Sequence, residues 1–381
     1  MLKVVADENI PLIDAFFGEI GAITRLPGRT MTPDDLEGAD VLVVRSVTPV
    51  NQALLAKSSI KFVGTCTIGI DHLETEFFDN NAIAWSSAPG CNANSVVEYV
   101  YAALAHLNES WLGKRVGIIG AGRVGGTLYQ RLKAQNVDVV CYDPNLTLEQ
   151  NPDLVSLEEV LSCDVISMHT PLVKTGPYPS FHLLGEKELH QLQPNAVLIN
   201  AGRGPVIDNQ ALKRVLQRRK DLRVVLDVWE PEPDLDLELL PLVKLATPHI
   251  AGYSYDGKLN GTEMVYRACC KALGISPKAR LEDLVPPLSD NQLLVDQNTS
   301  PWELAKSLIH QVYDIGADDR RLREQAARAQ AGDLVFGEAF DGLRKNYPRR
   351  REFHNYRLDG QALTSEAKDW LKALGFKVEA E

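Results

Sequence analysis

The chain has 381 residues, 45% of them hydrophobic, more than one compact core holds, so two or three domains are expected. A formal net charge of −11 makes the surface as a whole repel nucleic acid and anionic lipid, and 24% charged residues beside that apolar content exclude a largely disordered chain. The opening Met1-Leu-Lys-Val-Val-Ala-Asp-Glu-Asn-Ile10 sets an acidic pair where a secretory signal runs apolar, and no apolar run approaches the roughly 18 residues needed to cross a bilayer, so a soluble cytoplasmic protein is expected.

In chain order, residues 2–6, 41–44 and 60–63 are β-rich runs bounded by Asp, Gly and Ser, with a helical stretch over 52–57. Strands alternating with helices predict a parallel sheet. A long amphipathic helix is predicted over 94–107, with Asn94 or Ser95 as N-cap and Glu98 placed to complete a capping box on Ser95. Gly113 closes that segment. A second α/β unit begins at Arg115: a strand over 116–119, a helix over 124–135, a strand over 137–142, then strands at 165–168, 196–199, 224–226 and 243–246 and a helix over 209–219. Short, unalternated apolar strands suit a sheet covered on both faces, so residues 115–251 read as a doubly wound open sheet.

Composition changes near Glu282. Pro286 and Pro287 break the preceding helix and mark a linker. Beyond it, residues 320–357 hold ten Lys/Arg against five Asp/Glu, interleaved with Phe336, Phe340, Tyr347 and Phe353. That mixture fits a folded module with an arginine-bearing face better than a nucleic-acid patch. The cysteines (Cys66, Cys91, Cys141, Cys163, Cys269 and Cys270) show no Cys-x-x-Cys spacing and read as buried reduced thiols. The histidines lack zinc-ligand spacing, so no metal is expected. Asn-x-Ser/Thr triplets at Asn108, Asn145 and Asn298 carry no role without secretion.

Gly120-Ala-Gly122-Arg-Val-Gly125 follows the strand over 116–119 and opens a helix. Gly120 permits the tight turn, Gly122 lets backbone approach a pyrophosphate, and Gly125 lets the helix pack on the sheet. The helix N-terminus then offers N–H groups and partial positive charge to the anion. Asp143, at the end of the next strand, supplies a carboxylate for ribose hydroxyls and repels a 2′-phosphate. No arginine follows it, so NAD is favoured over NADP.

Three further stretches sit just past predicted strands, where ligands bind in open α/β sheets. They are Asn200-Ala-Gly-Arg203-Gly204, Asp227-Val-Trp-Glu-Pro-Glu232-Pro233 and Thr247-Pro-His249-Ile-Ala-Gly252-Tyr253. An arginine fork suits a carboxylate, a histidine moves a proton near neutral pH, and a glutamate beside it orients the ring. Taken singly, Arg203, Glu232 and His249 have dull readings: a surface ion pair, an exposed loop acid, a turn histidine. Their joint placement behind successive strands of one nucleotide-binding sheet favours the catalytic one. His169, also at a strand end, reads as a pocket wall.

Together the glycine turn, Asp143, the Asn200 and Asp227 stretches and Thr247-Pro-His resemble the D-isomer-specific 2-hydroxyacid dehydrogenases. The resemblance extends through Ala6-Asp-Glu-Asn-Ile-Pro11, Arg45-Ser-Val-Thr48, Thr67-Ile-Gly-Ile-Asp-His72, Ala88-Pro-Gly-Cys-Asn-Ala-Asn94 and the arginine-rich tail. It implies an α/β fold of two doubly wound parallel-sheet domains with an extra C-terminal α+β domain. Residues 1–93 and 254–283 would form a split substrate domain, 94–253 a Rossmann-type NAD domain, and 284–381 a homodimerisation domain, with the long helix from Asn94 crossing between the first two. It also implies catalytic roles for Arg203, Glu232 and His249. Cofactor contacts are implied at Arg123, Val124, Asp143, Thr170, Ala201, Gly202, Arg203, Asp227 and Gly252, and substrate contacts at Ser46, Thr67 and Tyr253. Pro205 departs from the usual small or β-branched residue and stiffens the loop bearing Arg203. The implied reaction is oxidation of the C2 hydroxyl of a phosphorylated sugar acid by NAD; its phosphate needs a cationic pocket, for which Arg45 is the candidate and an arginine of the C-terminal module the alternative. A 3-phosphoglycerate dehydrogenase and an NAD-sensing binding protein are the competing readings; a pure sensor has no use for a proton shuttle.

Overall fold

The computed structural model describes residues 2–296, 299–359 and 363–378; Asn298 lies outside them. The chain forms two compact units, Met1–Asn92 with Ser254–Pro287, and Ala93–Tyr253 with Leu288–Glu381.

In the first unit β1 (Leu2–Asp7), β2 (Gly21–Leu26), β3 (Val41–Val44), β4 (Phe62–Thr65) and β5 (Ala84–Ser86) form one all-parallel sheet in the order β2-β1-β3-β4-β5. Side chains alternate across it. Val4, Ala6, Val41 and Val43 pack with Phe16, Phe17, Val265 and Tyr266 on one face, while Val5, Leu42, Val44 and Val63 pack with Leu54, Leu55 and Phe78 on the other. The helix Tyr255–Ala272 is thus a return segment that covers the first sheet, and Gly64 admits it: a Cβ there would lie 2.3 Å from Val265. β2 and β5 have no counterpart in the predicted strands. Both are edge strands whose side chains are half exposed, so burial writes little apolar pattern into them.

In the second unit β6 (Arg115–Ile119), β7 (Asp138–Tyr142), β8 (Val165–Met168), β9 (Val197–Asn200), β10 (Arg223–Leu226) and β11 (Leu245–Ala246) are parallel in the order β11-β10-β9-β8-β6-β7. One face is covered by the helices Ala93–His106 and Arg123–Ala134, the other by Leu157–Leu161, Glu186–Gln191 and Asn209–Arg218. Among the described residues the C-terminal portion adds four α-helices, Pro301–Val312, Ile315–Gln330, Phe336–Lys345 and Ser365–Leu374, and a pair of two-residue strands, Arg357–Leu358 and Lys377–Val378. Leu304, Leu308, Ile309 and Leu371 join the core over the first of those faces, and Leu322 and Phe340 the core over the second. The α/β class with a C-terminal α+β portion is the fold the chain adopts.

The capping box predicted at Ser95 does not form. The helix begins at Ala93, and both Ser95 and Glu98 are buried inside it. Ser95 Oγ donates to the Ala251 carbonyl at 2.7 Å, and Glu98 Oε1 accepts the Phe353 N–H at 2.8 Å, so tertiary partners take the groups a cap would have used. All six cysteines are buried free thiols. Among the described residues no helix is long and apolar enough to cross a membrane.

Candidate active site

β6 and β8 are neighbours although β7 intervenes in sequence, so the connections leave the sheet in opposite directions here and open a crevice at the strand ends. The glycine turn lies on one side of it. Gly120 has φ +87°, and a Cβ there would come within 2.9 Å of Thr170 Oγ1; at Gly125 it would stand 1.9 Å from the Gly120 carbonyl oxygen. Gly122 differs, since an added Cβ would meet nothing within 4 Å. Internal packing therefore does not require a glycine at 122. The open face it leaves suits close approach of a pyrophosphate, and no side chain caps the helix that starts at Arg123. Arg123 is exposed and Val124 half-buried at this end. Asp143 Oδ2 accepts the Ala121 N–H at 3.0 Å and Oδ1 the Asn145 N–H at 3.0 Å, which fixes the carboxylate beside the turn. Across the crevice Thr170 Oγ donates to the Ile119 carbonyl at 3.1 Å, and a Cβ on Gly202 would lie 2.9 Å from the Thr170 carbonyl oxygen, bringing Ala201 and Gly202 alongside. The residues present fit a dinucleotide.

Arg203 follows β9 in a loop stapled by Asn200, whose Oδ1 accepts the Gly202 N–H and whose Nδ2 donates to the Arg203 carbonyl, each at 3.1 Å. Glu232 follows β10. Its Oε1 accepts the Trp229 N–H at 2.8 Å and its Oε2 lies 2.7 Å from His249 Nδ1. Burial by itself raises the Glu232 carboxyl, but the His249 charge and the two hydrogen bonds outweigh it and hold the group below its ordinary value. It is a carboxylate at neutral pH. His249 has φ +56° and donates its backbone N–H to the Asp227 carbonyl at 2.7 Å. Arg203, Glu232 and His249 line one cavity of about 350 Å³, with Trp229, Phe181 and Lys174 among its other walls. No spacing in the sequence announces those walls, because Phe181 and Lys174 come from the long segment after β8.

Asp227 is almost wholly buried. Oδ1 accepts from Thr247 Oγ1 and the Ile250 N–H, both at 2.7 Å, and Oδ2 from the Ala251 N–H at 2.9 Å. Burial raises its carboxyl against these bonds and the His249 charge. It holds the turn that carries His249 and leads to Gly252. Tyr253 packs edge-on against Tyr347, with the Arg344 guanidinium 5.5 Å from its ring centre. His169 lies beside Thr170, with Ser167 Oγ 2.9 Å from its Nε2; burial lowers it to about 4, so it stays neutral. In the first unit Arg45 and Ser46 follow β3, and Thr67 follows β4 with its hydroxyl 2.8 Å from that of Thr65. One cluster went unforeseen: His182, Asp208 and Glu230 place ligand-type atoms within 4.8 Å of one another. His182 Nε2 lies 2.9 Å from both Glu230 oxygens, a hydrogen-bonding contact that accounts for two of the three members.

A family model described as the NAD binding domain of D-isomer specific 2-hydroxyacid dehydrogenase matches residues 96–251, and one described as a domain of unknown function matches 284–375. The fold is shared with D-lactate dehydrogenase from Aquifex aeolicus, solved with NAD and lactic acid (TM-score 0.60, 22% identity, 71% of this chain and 96% of that one). It is shared too with NAD-bound 3-phosphoglycerate dehydrogenase of Entamoeba histolytica (TM-score 0.61, 22% identity, 72% and 95%). The chain is an NAD-dependent 2-hydroxyacid dehydrogenase, acting on a CH–OH group. It is 68% identical over 376 residues to the erythronate-4-phosphate dehydrogenase of Cellvibrio japonicus, covering 99% of this chain and 100% of that one. The enzyme of that name from Teredinibacter turnerae is 47% identical over 391 residues, with 100% of each chain covered. The chain belongs to the erythronate-4-phosphate dehydrogenases, within the D-isomer specific 2-hydroxyacid dehydrogenase family.

Proposed function

We propose that the chain oxidises the C2 hydroxyl of 4-phospho-D-erythronate to the 2-oxo acid. The observation that carries this is the His249–Glu232 pair at 2.7 Å, in one cavity with Arg203, in a chain so close to enzymes of that name. Arg203 grips the substrate carboxylate through a planar fork of donors. His249 accepts the C2 hydroxyl proton at Nε2, because Nδ1 is committed to Glu232. Glu232, held ionised, stabilises the imidazolium that results. When bound, NAD supplies the acceptor for the hydride leaving C2. Gly120, Gly122, Arg123, Val124 and Gly125 hold its pyrophosphate, Asp143 its ribose, and Thr170, Ala201, Gly202, Arg203 and Gly252 its nicotinamide half. Asp227 acts beside them, through the turn it holds.

Ser46, Thr67 and Tyr253 are proposed substrate contacts, and Arg45 the ligand of the terminal phosphate. The same reading assigns residues 1–93 and 254–283 to substrate, 94–253 to NAD and 284–381 to a homodimer, in a cytoplasmic enzyme of pyridoxal 5′-phosphate synthesis. Light scattering of the full chain tests the assembly: a molar mass of 42.1 kDa rather than twice that refutes the dimer. The activity test follows NADH absorbance near 340 nm with four-carbon and three-carbon phosphorylated acids. His249→Ala and Arg203→Ala proteins that still bind NAD should lose turnover; near-native rates would overturn the assignment.

A further inference from the structure

The order β2-β1-β3-β4-β5 gives the first sheet its own reversal point, between β1 and β3. Ligands of open α/β sheets bind outside the strand ends at such a point. β1 ends in Asp7 and β3 runs directly into Arg45. Asp7 is fully buried, and its Oδ1 lies 3.1 Å from Arg45 Nε while also accepting the Asn9 N–H at 2.8 Å. The Arg45 Nε is buried as well and meets Asp7 as an ion pair without hydrogen-bond geometry, yet the side chain keeps 27% of its surface, and its outer nitrogens meet no hydrogen-bond acceptor among the described residues. The inner edge of the guanidinium is therefore held against a buried charge and the outer edge presented. A carboxylate is costly to bury without a counter-charge, and Arg45 is the cation paired with this one among the described residues. Gly28 walls the pocket: a Cβ there would stand 2.3 Å from Asp7 Oδ2 and 2.6 Å from Thr48 Oγ1.

We propose that Asp7 is a positioning residue that sets Arg45 to receive the substrate's phosphate, and so determines the preference for phosphorylated acids. The inference rests on the reading of Arg45 as the phosphate ligand. An unanchored arginine must freeze several torsions on binding, whereas an anchored fork meets a tetrahedral oxyanion with its donors already set. Asp7 touches neither substrate nor cofactor in this scheme. Its effect passes wholly through Arg45.

A double-mutant cycle on the full-length enzyme tests this, with steady-state kinetics on 4-phospho-D-erythronate at saturating NAD. Asp7→Asn should raise KM about tenfold with kcat held within about threefold, and raise the Ki of inorganic phosphate as a competitive inhibitor by a similar factor. In an Arg45→Met background the same substitution should change KM less than about twofold, since coupled residues lose their separate effects. Gly28→Ala, which displaces the carboxylate without altering charge, should also raise KM, and it replaces Asp7→Asn if that protein does not fold. An unchanged KM in the Asp7 and Gly28 variants, or the full factor persisting without Arg45, overturns the role of Asp7. An unchanged KM in Arg45→Met alone removes the phosphate reading of Arg45, and the inference with it.

Discussion

Replacing Glu232 by Gln removes one charge from the His249 pair while keeping an oxygen able to accept from Nδ1. A hydrogen bond to a charged group is worth about 1.5–3 kcal/mol. At about 1.4 kcal/mol per factor of ten, that sets the scale of the loss when His249 takes the proton without the full charge beside it. The His249 and Glu232 side chains are 31% and 22% exposed, and that access to solvent places the loss near the lower end. The same lost stabilisation should cut kcat by about 10- to 100-fold. The assay is kcat/KM for NADH formation across pH in both proteins, so that titration of the substrate phosphate cancels between them. A kcat/KM for the variant within about threefold of the parent across pH refutes the proton-transfer assignment.

Asp143→Ala should raise KM for NAD about tenfold and improve the NADP-to-NAD ratio, because it removes both the ribose acceptor and the repulsion of a 2′-phosphate; parallel titrations with the two nucleotides measure it. Gly125→Ala puts a Cβ 1.9 Å from the Gly120 carbonyl oxygen, so NAD affinity measured by fluorescence quenching should fall more than about tenfold. Glu98 is held well above the ordinary carboxyl range, by burial first and then by the neighbouring Glu352. A raised folded-state value means stability is full below the unfolded carboxyl range and is lost as pH rises toward the folded value. Glu98→Gln should therefore gain Tm relative to the parent by a few degrees, and more at pH 8 than at pH 5 in thermal melts.

The local chemistry of the cofactor crevice is legible in the chain itself. Short apolar runs reveal a sheet buried on both faces because such strands need no polar side. A glycine triplet between strand and helix marks the proposed pyrophosphate seat because close backbone approach leaves no room for side chains there. The residues just past β9, β10 and the run into β11 stand out for the same reason: in an all-parallel sheet, every strand end delivers its next residue to one rim. What no spacing encodes is which polar groups meet. Ser95 and Glu98 carry a local capping signature, yet they are spent on Ala251 and Phe353, hundreds of positions away in part, because a buried donor or acceptor takes whichever partner the packed fold supplies. The His182–Glu230 pair, the cavity walls from the segment after β8, and the anchoring of Arg45 by Asp7 arise in the same way. Hydrophobic period and backbone allowance are properties of neighbouring residues and so are written in the chain; the pairing of distant polar groups is a property of the packed interior and exists only once the sheets have closed.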